Sequence, residues 1–292
     1  MKLVGFLLAI PLLLFPFPAG GEEVRVLASF LPIYLFTGNV VGGAPGVTLD
    51  LMLPPTMGDP HDYALTPGDL RKIASADLFI ANGYGLEEFL GAPVRKANPR
   101  IRIVESAEGV TPLRAGKGGR GGINPHTWVS PRNAILQVLN IEKALSEASP
   151  RNAPAFRRNA DAYVAKLASL AGEFDAAAAR FRNRNIVTFH NVFDYLARDL
   201  GLNIVGEIEE TPGQEPSAGE VGKLIRTIRE KKAAAFFWEP QYPKRLAEMI
   251  AVEAGVPSRV LDPVSTGSTA PSAYEDVMRR NLGTLTEVLG MR

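Results

Sequence analysis

Between positions 156 and 181 the larger apolar residues and alanines fall at Phe156, Ala160, Tyr163, Leu167, Leu170, Phe174, Ala178 and Phe181. Steps of three and four residues trace one stripe down a single helix. The stripe belongs to a run from 152 to 182, and about 30 residues at 1.5 Å each predict a rod of roughly 45 Å. Such a rod suits either a coiled-coil dimer or a backbone that packs along two lobes and joins them. The small alanines and the shortness of the stripe favour the second.

On both sides of the rod the pattern changes to short apolar runs separated by helical stretches. Before it, strands are predicted at 23–30, 46–53, 77–82 and 100–106. Helices start at Thr66-Pro67 and at Ser130-Pro131, where a hydroxyl can cap and the proline's missing N–H is harmless. After it, strands are predicted at 185–189, 233–239 and 258–262. Between them fall a helix closed by Gly201, a helix opened by Ser217 and Glu220 at capping-box spacing, and a helix over 243–255. Alternating strands and helices predict an α/β fold with parallel sheets covered by helices. The expected organisation is two lobes of parallel-sheet βα units bridged by one long rigid helix. Its expected boundaries are a signal peptide at 1–21, a first lobe at 22–150, the bridging helix at 151–182 and a second lobe at 183–292.

The first 21 residues stand apart from this pattern. Lys2 is followed by an apolar run from Leu3 to Phe17, with Pro11, Pro16 and Pro18 in or beside it, and then by Ala19, Gly20 and Gly21. This is the layout of a secretory signal with a small-residue cleavage site. The run is short of the roughly 20 residues that span a bilayer. The expectation is a soluble protein, exported to the periplasm by a cleaved signal.

The chain has no cysteine, which excludes disulfides, thiolate metal sites, cysteine nucleophiles and lipid attachment at a cysteine. Lys and Arg number 32 against 31 Asp and Glu, a net charge of +1, so no basic field argues for nucleic acid.

Only three histidines occur in 292 residues. His61 lies in GDPHDYALTPGDL, His126 in NPHTWVSPRNA and His190 in IVTFHNVFDYL. His61, His190 and Asp262 each follow a predicted strand, and His126 precedes a helix. Open α/β sheets bind ligands beyond the carboxyl ends of their strands, and between two lobes that region is a cleft. Three imidazoles and one carboxylate form a suitable four-coordinate set for zinc. Taken singly, each residue also has a plain structural reading. His61 follows Asp59-Pro60 as a turn residue would, His126 can cap a turn beside Trp128, and Asp262-Pro263 is a common turn pair. No local spacing of the His-Glu-x-x-His kind links them. The Gly-rich stretch 115–123 lacks the Gly-Lys-Ser/Thr ending of a phosphate-cradling loop and reads as a mobile connector.

The segments DPHDYALTPGDLRKIASADLFIANG, NPHTWVSPRNA, TFHNVFDYLARDLGL and EPSAGEVGKLIRTIREKKAAAFFWEPQY, with the later LDP, together resemble the metal-binding solute-binding proteins of ABC importers, the ZnuA/TroA-like group of cluster A-I. The resemblance runs from about residue 24 to the C-terminus. It implies that His61, His126, His190 and Asp262 bind the metal between two lobes. It also implies a non-enzymatic monomer that carries Zn2+, with Mn2+ as the alternative, to a permease and its cytoplasmic ATPase. Manganese-selective members typically carry a carboxylate at the position of His190, so the chain resembles the zinc-type branch. It departs from many of that branch in lacking a His- and Asp-rich loop before His126, and a disulfide.

Asp62, Glu207 and Glu239 are candidates to orient the imidazoles from behind. A zinc hydrolase is a rival reading, with a water in place of Asp262 and Glu239 as base. A surface adhesin is a third, although no exposed repeat or aromatic-rich stretch supports it.

Overall fold

The computed structural model describes residues 23–57, 61, 63–87, 91–115, 122–208, 216–242 and 244–290. The signal at 1–21, Asp62 and most of the Gly-rich stretch lie outside the described residues. Among the described residues, eight strands form two four-stranded sheets. The first holds β1 (Val24–Ala28), β2 (Val47–Leu51), β3 (Leu78–Ala81) and β4 (Arg102–Glu105) in the order β2-β1-β3-β4. The second holds β5 (Asn185–Thr188), β6 (Asn203–Glu207), β7 (Phe236–Trp238) and β8 (Ser258–Val260) in the order β6-β5-β7-β8. Every pairing is parallel. The two lobes therefore repeat one topology, and in each the chain reverses direction across the sheet between its first and third strands. That reversal opens a crevice at the strands' carboxyl ends.

Nine helices are described: α1 (Leu31–Val41), α2 (Pro67–Ser75), α3 (Ala92–Ala97), α4 (Pro131–Ala148), α5 (Ala153–Ala178), α6 (Asp194–Leu200), α7 (Ala218–Glu230), α8 (Lys244–Ala254) and α9 (Ala273–Leu289). The caps read from the sequence are present. Thr66 with Asp69 and Ser217 with Glu220 form capping boxes, Ser130 accepts the Asn133 N–H, and Gly201 closes α6 in the left-handed region at φ 63°.

All eight apolar stripe residues of the rod are buried. The helix is shorter than the pattern predicts, with 26 residues ending at Ala178. Arg184 Nη2 takes the Ala178 carbonyl at 2.7 Å, and Arg182 N–H goes to the Leu289 carbonyl at 2.9 Å. Phe181 therefore reaches the core from a turn rather than from the helix. The stripe continues in packing where the helix has stopped. α5 packs on α1 and α4 of the first lobe and on α6 and α9 beyond it.

One apolar core extends from the first sheet across α5 to α6 and α9, and a second fills the outer half of the second lobe. Strand alternation divides the second sheet between them. Ile186 and Phe237 face the larger core, while their neighbours Val187 and Phe236 face the smaller.

Four elements lie outside the sequence reading, the six-residue α3 among them. α1 is buried at eight of its 11 positions, so it offers no amphipathic period. β6 is a half-buried edge strand carrying Gly206. α9 buries Glu275 and Asn281 within its apolar face, which interrupts the stripe. It returns from the end of the second lobe to pack on α1 and α5.

Candidate metal site

Asn82, directly after β3, is fully buried and fixes the loop that carries His126. Its Nδ2 donates to the carbonyls of Gly83 and Pro125 at 2.9 and 2.8 Å, while its Oδ1 accepts Thr127 Oγ1 and Gln137 Nε2 at 2.9 and 3.0 Å. His126 then precedes a single 3-10 turn, Thr127–Val129, whose end is the Ser130 cap of α4. His126 is 1% exposed. It lies edge-on to Trp128, with centroids 5.3 Å apart, and Trp128 itself donates its indole N–H to the Pro263 carbonyl at 2.7 Å. One buried tryptophan thus joins the His126 loop to the residue following Asp262.

The His126 Nδ1 stands 2.8 Å from Asn124 Oδ1, which also accepts the His126 backbone N–H at 3.0 Å. An amide oxygen facing Nδ1 requires a proton there and leaves the Nε2 lone pair for another partner.

His190 is held in the same sense from the second lobe. It follows β5 with extended backbone and is 3% exposed. Its Nδ1 lies 2.7 Å from Oε1 of Glu239, which is fully buried just beyond β7. The other carboxylate oxygen, Oε2, accepts Gln241 Nε2 at 2.6 Å. β5 and β7 are adjacent, so His190 and its carboxylate flank the crevice of the second sheet. Tyr242 stacks on Phe189 at 4.0 Å between centroids and meets the His190 ring edge at 5.7 Å.

The rings converge through His126. Its centroid lies 5.1 Å from that of His61 and 5.1 Å from that of His190. His61 Nε2 and His126 Nε2 approach to 3.2 Å. Two imidazole nitrogens bound tetrahedrally to one zinc at 2.0–2.1 Å stand about 3.3 Å apart, so this separation is that of one edge of a coordination tetrahedron. Among the described residues, no group of three or more His, Asp or Glu side chains stands close enough together to hold a metal ion.

Asp262 lies two residues beyond β8 and faces a separate small cavity with Thr266, Asp276 and Arg280. Asn281 of α9 brackets its backbone, accepting the N–H at 2.9 Å and donating to the carbonyl at 2.7 Å. The Asp262 Oδ1 accepts the Val264 N–H at 2.7 Å. Val264 is a β-branched residue held at φ 64°, a strained conformation that this side-chain turn and the surrounding packing maintain. Burial pushes the Asp262 carboxyl above its ordinary range, against the pull of the Val264 N–H and of Arg280.

Of the three carboxylates considered for orienting the imidazoles, Glu239 is in contact with His190, Glu207 ends β6, and Asp62 lies outside the described residues. Asn124 escaped the sequence reading. The signal available was its position two residues before a histidine in a turn-forming Asn-Pro pair.

The sequence profile of the family described as "Zinc-uptake complex component A periplasmic" matches residues 26–288. The zinc-binding protein AdcA of Streptococcus pyogenes serotype M6 is 31% identical over 297 residues, covering 92% of this chain and 57% of AdcA. The chain thus spans little more than half the length of that relative. The high-affinity zinc uptake system protein ZnuA of Bacillus subtilis is 27% identical over 285 residues, covering 92% of this chain and 88% of ZnuA. Among solved structures, the solute-binding protein FpvC of Pseudomonas aeruginosa in complex with Mn2+ superposes with a TM-score of 0.82 at 29% identity, covering 92% of this chain and 99% of FpvC. The shared two-lobed fold and a profile match over nearly the whole described length place the chain in the ZnuA family of periplasmic zinc-uptake components.

Proposed function

We propose that this protein captures a divalent transition metal, Zn2+ above all, outside the cytoplasmic membrane and delivers it to an ABC-type importer. The metal is the cargo. His61, His126 and His190 supply imidazole nitrogen, and Asp262 completes the set by turning its carboxylate from Val264 towards the rings. The observation that carries this reading is the 3.2 Å approach of His61 Nε2 to His126 Nε2, with the Nδ1 atoms of His126 and His190 both facing acceptors. Rings fixed in that tautomer present lone pairs at Nε2 and need no proton loss to bind.

Imidazole donors favour Zn2+ over Mn2+ in the Irving–Williams order, which supports zinc while leaving Mn2+ as the weaker cargo of the same site. The partners on this reading are the importer's permease and its ATPase, and the protein works as a monomer. Export uses the signal at 1–21.

The hydrolase reading loses its base. Glu239 is fully buried, with one oxygen on His190 and the other on Gln241, which fits a carboxylate that orients a ligand and not one that activates water.

Calorimetric titration of the metal-stripped protein with Zn2+ and with Mn2+, repeated on His190→Ala, tests the proposal. One tight Zn2+ site, weaker for Mn2+ and impaired by the substitution, is expected. A site indifferent to His190, or no site, would overturn it.

A further inference from the structure

Asn124 is fully buried, and its amide makes four hydrogen bonds that divide between the two lobes. Oδ1 accepts from the His126 backbone N–H and faces His126 Nδ1. Nδ2 donates to the Asn191 carbonyl at 2.8 Å and to Asp194 Oδ2 at 2.9 Å. Asn191 and Asp194 belong to the segment that leaves His190 and enters α6. This segment is fastened to the first lobe nearby. Tyr195 OH donates to the Asn124 carbonyl at 2.7 Å and accepts the Leu113 N–H at 3.1 Å, and Ser130 bonds Asp199.

The four bonds allow one amide orientation. Rotating the amide by half a turn would set its NH2 against the His126 backbone N–H and its oxygen against a carbonyl and a carboxylate. Each of those contacts is repulsive, and each strands a buried polar group. The acceptors from the second lobe therefore decide that oxygen faces Nδ1.

We infer that Asn124 is a positioning residue that sets His126 to its metal-ready tautomer, and that Asp194, reaching across from the second lobe, holds Asn124 in the orientation that does so. The inference rests on the proposed role of His126 as a metal ligand. It adds that the readiness of one lobe's ligand depends on docking of the segment that carries the other's. By reciprocity, metal bound at His126 Nε2 tightens the contact between Asn124 and Asp194.

The test combines two readouts on the full-length mature protein. Long-range proton–nitrogen NMR reads the His126 tautomer without metal, in a spectrum of only three imidazoles. Zinc titration against a competing chelator reads affinity. Asn124→Leu, of similar volume and without an acceptor, is expected to lose the Nδ1–H preference and to weaken zinc binding about 10–100-fold, the usual size of such an effect.

Asn124→Asp keeps an acceptor for His126 but sets a carboxylate oxygen against both the Asp194 carboxylate and the Asn191 carbonyl. It is expected to weaken binding while the tautomer holds. Adding Asp194→Asn to that variant restores one donor–acceptor pair, with reversed polarity, while the Asn191 carbonyl stays opposed, and part of the affinity should return. Should Asn124→Leu fail to fold, the Asp variant and its double mutant still decide. An unchanged tautomer in Asn124→Leu, or a double mutant no better than Asn124→Asp alone, would overturn the inference. A wild-type protein that shows the Nδ1–H tautomer yet binds no zinc would instead overturn the ligand role of His126, and with it the coupling to metal.

Discussion

His190 and Glu239 form a buried pair, Nδ1 to Oε1 at 2.7 Å, contributed by the loops after two adjacent strands of the second sheet. The carboxylate fixes the ring plane and draws the proton to Nδ1. Neutral Glu239→Gln keeps an acceptor but loses the charge, and Glu239→Ala loses both. Zinc affinity is expected to fall about tenfold in the first and by up to about a hundredfold in the second, measured by competition with a chelator. Equal affinity in all three proteins would mean that Glu239 does not orient the ring.

Asp194 gives the metal-free protein a pH dependence of definite sign. Burial pushes its carboxyl from 3.8 up to about 6, against the Asn124 amide and the field of His190. The folded protein then keeps a proton that the unfolded chain has already released. The stabilising contribution is complete below about pH 4 and is lost as pH rises through about 6. Two pKa units correspond to about 3 kcal/mol at most. Urea unfolding of Asp194→Asn and of the parent at about pH 4.5 and about pH 7.5 should show the variant's relative stability rising at the higher pH. A difference between them that does not change with pH would contradict this.

Trp128 joins His126 to the residue after Asp262. Trp128→Phe keeps the ring contacts with Phe30 and His126 but leaves the Pro263 carbonyl without the indole donor. A loss of about 1–3 kcal/mol in unfolding free energy is expected. Zinc should also perturb the fluorescence of the parent protein far more than that of the variant, whose remaining tryptophan is Trp238.

Asn281 has a comparable task from α9, reading both backbone groups of Asp262. Asn281→Ala should destabilise the protein by about 2 kcal/mol or more, because two buried backbone groups lose their partner. Its zinc affinity should fall while affinity at the histidines alone persists, seen as a weaker but still single site in calorimetry. Unaltered affinity would remove Asp262 from the site.

The parts of the fold that local chemistry dictates were legible in the sequence. Thr66, Ser130 and Ser217 announced helix starts, and the stripe from Phe156 to Phe181 announced the rod, because each signal lies within a few residues of what it predicts. α1 was hidden because burial on nearly all sides erases periodicity, and α9 because Glu275 and Asn281 interrupt its apolar face.

His61, His190 and Glu239 could be named as candidates from strand ends, and His126 from the loop before a helix. Asn124 could not, since its role depends on Asn191 and Asp194, 67 and 70 residues away. The end of the rod at Ala178 likewise depends on Arg184 taking a helix carbonyl, a contact that no pattern of apolar positions encodes.

The account stands most directly on where a bound zinc ion lies. Crystals of the protein grown with Zn2+ and measured on both sides of the zinc absorption edge should show one strong anomalous peak within about 2.0–2.2 Å of Nε2 of His61, His126 and His190 and of a carboxylate oxygen of Asp262. A peak on the Nδ1 side of either His126 or His190, or a zinc site away from all three rings, would contradict it.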